Sequence, residues 1–178
     1  MEKARPKEGQ GKSHLAVIVM GSPADKEYAD KIGKTLAEFG VGFEMRIGSA
    51  HKSALHVLDI IKDYDQREET DIVYVAVAGR SNALGPFIDA NTSNLVISAP
   101  PYSEKYSGAD IFSSLRLPSG LGNVVATEAE LAAIAVAKVL ALNNPKIAER
   151  LLQHRREMAE GIVEKDKGLL GEQRGSSS

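Results

Sequence analysis

Three short clusters carry side chains that can hold an anion, share hydrogen bonds or move a proton. They are Gly21-Ser22-Pro23-Ala24-Asp25, Ser49-Ala50-His51-Lys52 and Gly79-Arg80-Ser81-Asn82. Ser22, Ser49, Ser81 and Asn82 supply donors and acceptors, Lys52 and Arg80 supply positive charge, and Asp25 accepts bonds from hydroxyl groups. Such a set suits a small phosphorylated, hydroxylated ligand. Its phosphate would be drawn to Lys52 or Arg80 and to helix N-termini, and its sugar hydroxyls to Asp25. Each residue also has a plain structural reading. Ser22 and Asp25 can cap the helix that follows them, and the turn alone favours that role. His51 can sit at a helix start with its ring satisfied by backbone, and Lys52 and Arg80 are residue types that mostly stand in water. The ligand reading gains weight from position, because all three clusters are polar and each follows a strand-like run.

Those runs define the elements that must hold the clusters. Ile72–Ala78 (IVYVAVA) is apolar and β-branched with no charge, the pattern of a strand buried on both faces of a parallel sheet. Leu15–Met20 (LAVIVM) is a second such strand, Phe43–Ile47 a third, Leu95–Ser98 a short fourth and Asn123–Ala126 a fifth. Between them, Lys26–Phe39 repeats Ala29, Ile32, Gly33, Leu36 and Phe39 at helical spacing and stops at Gly40, and Ser53–Tyr64 repeats Leu55, Leu58, Ile60 and Ile61. Ser81 or Asn82 is placed to start a helix after the central strand, and Ala109–Leu115 reads as a short one. Strands alternating with helices predict an α/β fold, a three-layer doubly wound parallel sheet. The three clusters then share its carboxyl edge, where open α/β sheets bind ligands.

Two helices remain. Glu128–Leu142 is apolar nearly all round, which predicts burial under another subunit. Pro145–Lys167 is charged, with Ile147, Leu151, Leu152 and Met158, and lies outside or across a neighbour. No repeat or linker divides the chain, so residues 14–167 form one domain between a disordered arm (1–13) and a flexible tail (168–178).

Composition narrows the function. Of 178 residues 43% are hydrophobic, enough for a real core, and a net charge of −2 gives no basic excess for nucleic acid or a membrane surface. With no cysteine there is no disulfide, thiolate metal site or cysteine nucleophile, and His14, His51, His56 and His154 show no HExxH spacing. No apolar run spans a membrane and the first residues lack a signal-peptide core, so a cytoplasmic protein is expected. Neither GxGxxG nor GxxxxGK[ST] is present, and 5% aromatic residues with no Trp argue against a sandwiched flavin. A receiver domain would need an acidic residue where Gly79 stands.

Four motifs in order, MGSPAD (Met20–Asp25), SAHK (Ser49–Lys52), AGRSNALGP (Ala78–Pro86) and SSLRLPSGLG (Ser113–Gly122), resemble the PurE family of purine biosynthesis across roughly Leu15–Leu142. The resemblance implies a flavodoxin-like fold, commonly an octamer, acting on aminoimidazole ribonucleotide (AIR) and its 4-carboxylated product CAIR. It has two branches. A mutase that rearranges N-carboxylated AIR carries signatures near SAHR and AGGAAHLPG; a carboxylase that joins AIR directly to carbon dioxide carries SAHK and AGRSNxLGP. Lys52 and Arg80-Ser81-Asn82 resemble the direct carboxylase, the kind fused to a synthetase domain in animals. One departure is Pro23-Ala24, where many members have a residue followed by Ser, removing one hydroxyl contact.

By that resemblance, His51 is the proton-transfer residue, since an unperturbed imidazole titrates near ~6.5 and works in both directions. Ser22 and Asp25 would hold the ribose and phosphate, and Ser49 and Lys52 would place the phosphate or the incoming carboxyl group. Gly79 and Ser81, with Arg80 and Asn82 nearby, would line the carbon dioxide pocket; the roles of Lys52 and Arg80 are interchangeable on the sequence. No metal or cofactor is required, and a homo-oligomer is expected. The mutase and a non-catalytic phosphosugar-binding protein remain as other readings.

Overall fold

The computed structural model describes residues 12–175. Five strands, β1 (Ser13–Met20), β2 (Gly42–Ile47), β3 (Thr70–Val77), β4 (Leu95–Ser98) and β5 (Val124–Val125), form one parallel sheet in the order β2-β1-β3-β4-β5. The order reverses between β1 and β3, the switch point of a flavodoxin-like sheet. All five strands are parallel because helices carry the chain from each to the next, α1 (Lys26–Glu38), α2 (Ala54–Asp65), α3 (Leu84–Asp89) and α4 (Phe112–Leu115), while α5 (Ala129–Leu140) and α6 (Pro145–Gly175) follow β5.

Alternation along the strands divides the core into two layers. Ala16, Ile18 and Met20 of β1 and Val73, Val75 and Val77 of β3 point to α1 and α5, with Ile147 of α6 closing the same cluster. Val17, Val19, Tyr74 and Ala76 point to the opposite face, against Val57, Ile60 and Tyr64 of α2 and Leu84 and Ile88 of α3. The runs read as doubly buried strands are therefore the two central ones, and β2, at the edge, alternates less and is mostly exposed.

Helix ends follow local chemistry. After α1, Gly40 takes φ +72°, its N–H reaching the Ala37 carbonyl while Val41 N–H reaches Leu36, a Schellman arrangement that needs the left-handed residue. Gly85 is required for a different reason. A Cβ there would strike the Ser98 hydroxyl, so α3 lies this close to β4 only without a side chain.

Three expectations change. The Gly168 tail boundary does not hold, because α6 runs through it to Gly175. A single glycine costs a helix interior only about 1 kcal/mol, and the flanking Lys165, Lys167, Leu169, Leu170 and Glu172 are strong helix formers. At the other end, Ser13 already belongs to β1, its N–H bonded to the Glu69 carbonyl at 3.0 Å; the rest of the proposed arm, apart from Lys12, lies outside the described residues. Finally, α5 is covered largely within the chain. Its Ala132, Ala133, Val136, Ala137 and Leu140 are buried between the sheet, α1 and α6, leaving Leu131 exposed beside them.

Candidate active site

The three clusters meet because β1, β2 and β3 end level. Met20 pairs with Ile47 on one side and Val77 on the other. One residue further on, Gly21 N–H bonds the Val77 carbonyl and Gly48 N–H the Met20 carbonyl, both at 2.9 Å. The loops that leave these ends enclose a cleft of about 500 Å³. Ser22, Asp25, Ser49, His51, Lys52, Gly79, Arg80 and Ser81 all line it, with Leu84 and three alanines as the apolar part of its wall.

In the first loop the cap reading of Ser22 holds alongside its place in the cleft. Its Oγ accepts the Ala24 N–H at 3.2 Å and starts a single 3-10 turn, Pro23–Asp25. Asp25 makes no side-chain cap for α1, so its carboxylate stays available to the cleft. Burial raises its pKa above the usual carboxylate range, while a bond from the Ser22 backbone and the charge of Arg80 oppose that rise. Arg80 thus acts on Asp25 across the cleft.

The second loop is closed by Ser53. Ser49 N–H donates to Ser53 Oγ at 3.0 Å, and Ser53 N–H returns to the Ser49 carbonyl at 2.9 Å. That turn carries Ala50, His51 and Lys52 outward over the cleft mouth. His51 and Lys52 are exposed, and the His51 ring makes no hydrogen bond to any described residue, so the reading of a backbone-satisfied helix-start histidine does not describe it. His56 lies about a turn along α2 and is not in the lining.

The third loop is the strained one. Arg80 adopts φ 64°, a left-handed conformation costing a non-glycine residue about 1–2 kcal/mol. It is held there from a distant segment. The Asp110 carboxylate accepts the Arg80 N–H at 2.9 Å, and Ser113 Oγ accepts the Asn82 N–H at 3.1 Å. Ser113 Oγ also donates to the Asp110 carbonyl at 2.8 Å, which ties the two anchors together. The short turn at Ala109–Ile111 and α4 therefore clamp the loop that ends the central strand. Neither Asp110 nor Ser113 was singled out from the sequence as a site residue; the signal was the SSLRLPSGLG motif, which begins at Ser113 but shows no contact with Arg80.

Asn82 departs from its expected role. It is 3% exposed and absent from the cleft lining. Its Oδ1 accepts the Gly85 N–H at 3.3 Å, so it caps α3, which begins at Leu84 rather than at Ser81 or Asn82. Among the described residues no group of three or more His, Cys, Asp or Glu side chains is placed to hold a metal, and no helix is long and apolar enough to cross a membrane.

Chemically the cleft offers a cation at each side, one partly buried carboxylate, hydroxyl and backbone donors, and one free imidazole at its mouth. A family model described as AIR carboxylase matches residues 15–161. The chain is 50% identical to a phosphoribosylaminoimidazole carboxylase of Archaeoglobus fulgidus over 160 residues, 90% of this chain and 87% of the relative. A protein of the same name from Treponema denticola is 39% identical over 87% of this chain and 97% of its own length. The crystal structure of Treponema denticola PurE superposes with a TM-score of 0.85, at 39% identity, covering 88% of this chain and 98% of that one. The human bifunctional phosphoribosylaminoimidazole carboxylase/phosphoribosylaminoimidazole succinocarboxamide synthetase is 41% identical over 76% of this chain, which spans 32% of it. The level strand ends, the three polar loops and these likenesses agree: the chain belongs to the AIR carboxylase (PurE) family.

Proposed function

We propose that the protein carboxylates AIR directly with dissolved carbon dioxide, giving CAIR without ATP, biotin or a metal ion. Within a purine-biosynthesis carboxylase family, the observation that carries this reading is the pairing of Lys52 with Arg80-Ser81 on the same cleft. A mutase must bind a carboxylate on the exocyclic nitrogen and then retain the released carbon dioxide; a direct carboxylase must admit carbon dioxide to a preformed AIR complex. Their pocket walls should differ at these two loops. Lysine in place of a forked guanidinium is not a conservative exchange.

C4 of an aminoimidazole is electron-rich, so its electron pair can form the bond to the carbon of carbon dioxide while one C–O π bond becomes the carboxylate. C4 then bears both hydrogen and carboxylate. Loss of that proton to a base restores the aromatic ring, and His51, free and facing the cleft, is the base. Asp25 and Ser22 hold the ribose end, and Ser49 and Lys52 the phosphate or the carboxyl group. Gly79, Arg80 and Ser81 flank the uncharged reactant, where positioning is the main contribution. Asn82 supports this wall from beneath. The protein works in the cytoplasm as a homo-oligomer, an octamer by its likeness to the family.

The test supplies AIR with bicarbonate and carbonic anhydrase, with chelator and no ATP, and follows CAIR. Saturable turnover supports the reading. Activity only with N-carboxylated AIR assigns the mutase, and binding without turnover assigns a phosphosugar-binding protein.

A further inference from the structure

The C-terminal helix repeats its apolar residues every eleven positions. Ile147-Ala148 and Leu151-Leu152 recur as Met158-Ala159 and Ile162-Val163, and again as Leu169-Leu170. Eleven residues make three turns at about 3.67 residues per turn, so the pairs fall along one stripe of a nearly straight helix. The first repeat is used inside the protomer: Ile147 is buried and Leu151 packs on the same core cluster as α5. From Arg155 to Gln173 every residue is exposed, Met158 at 60% and Ile162 at 67%. An apolar stripe left exposed on a helix calls for cover.

The charges on the stripe say what covers it. Arg155 lies between Leu151-Leu152 and Met158-Ala159, and Asp166 lies in the same place one repeat later, between Ile162-Val163 and Leu169-Leu170. Neither has an ion-pair or hydrogen-bond partner among the described residues. Reversed about the point between Glu160 and Gly161, the stripe reproduces its own pattern. Leu151-Leu152 falls on Leu169-Leu170, Arg155 on Asp166, and Met158-Ala159 on Ile162-Val163. A parallel pair in register would instead oppose Arg155 to Arg155 and Asp166 to Asp166.

We propose that α6 docks on α6 of a second copy of this chain, antiparallel, about a two-fold axis between Glu160 and Gly161. Arg155 of each protomer then meets Asp166 of the partner subunit, and the apolar pairs from Leu151-Leu152 to Leu169-Leu170 meet one another. Such an interface is isologous and closes on two copies. The family match ends at residue 161, so half of the stripe lies beyond it. The pairing is independent of the reaction, and an assembly built through other faces neither needs it nor supplies it.

The chain has no cysteine, so one spin label can be placed at Glu157→Cys or Glu172→Cys of the full-length protein. At 1.5 Å rise per residue, antiparallel pairing offsets the two 157 positions by about 10 Å along the axis and the two 172 positions by about 35 Å; both lie off the stripe, so the spacing across the two helices adds to each. A parallel pair would bring both sets equally close. The interspin distance at 157 is expected to be clearly shorter than that at 172. In the 157-labelled background, Arg155→Asp and Asp166→Arg should each abolish the short distance while the protomer stays folded by circular dichroism. Mixing the two singly substituted chains should restore it, since every opposed pair is again of unlike charge. A short distance at both positions, none at 157, or no recovery on mixing overturns the proposal. CAIR formation, followed in parallel, reports on the carboxylase reading separately.

Discussion

The Asp110 carboxylate accepts the backbone N–H of Arg80 at 2.9 Å across 30 residues of sequence. It thereby fixes a left-handed residue at the end of the central strand, beside the cleft. A short turn far along the chain thus sets the angle at which Arg80 and Ser81 enter the site.

Asp110→Ala should lower kcat/KM about 10- to 100-fold, the range expected for a hydrogen bond to a charged group of roughly 1.5–3 kcal/mol. Asp110→Asn keeps an acceptor oxygen and should recover most of the loss. Steady-state kinetics alongside denaturant midpoints separate the cases. A lowered midpoint with unchanged kcat/KM would mean that Asp110 stabilises the fold and does not position the loop.

His51→Asn should leave folding and AIR binding intact while reducing turnover by ~10²–10⁴-fold, the usual contribution of a general acid–base group. The control is His56→Asn, outside the cleft lining. Near-normal turnover of the His51 variant, with loss in the His56 variant, would assign proton transfer elsewhere.

Asp25 gives a pH signature whose sign follows from burial. Its folded-state pKa is raised above 3.8, chiefly by desolvation, so the folded protein takes up this proton before the unfolded chain does. Stability from this group therefore falls as pH rises from the ordinary carboxylate value through the raised one, and the penalty is constant above that. Asp25→Asn should be more stable than the parent at pH 7, with the advantage shrinking in acid. Denaturant midpoints at neutral and acidic pH check it; an advantage that grows on acidification would contradict a burial-dominated shift.

Gly85→Ala should destabilise the protein by about 1–3 kcal/mol, since the added methyl meets the Ser98 and Asn123 side chains under α3. Urea unfolding measures it, and a change within experimental error would mean that α3 can move off β4 freely.

Much of the fold was legible because its signals are local. Uncharged β-branched runs mark β1 and β3, helical spacing marks α1, and Gly40 marks a stop that the left-handed φ explains; in α2 the buried face is Val57, Ile60, Ile61 and Tyr64, with Leu55 exposed. The parallel topology then brought the three clusters to one edge. What stayed hidden depends on contacts far apart in sequence. Asp110 and Ser113 sit in a short helical stretch whose pattern does not reveal that they bond to Arg80 and Asn82. Asn82 looks like a pocket residue, but its Oδ1 is engaged by the Gly85 N–H in the first turn of α3, a bond the sequence does not announce. Gly168 does not end α6, because the helix formers on either side of it outweigh one glycine.

Because Met20, Ile47 and Val77 stand at one height, the candidate site is built from segments that begin where the sheet's ladder ends. Such segments can be rewritten, lengthened or shortened without moving a single strand, since the register is set below them by side chains that never reach the cleft. A slip of one residue in β1 would be far more costly, turning its buried side chains to the opposite layer and displacing two neighbours by about 3.3 Å. Changes in the loops and changes in the strands thus have separate consequences: the first alter the cleft, the second the layers of the core.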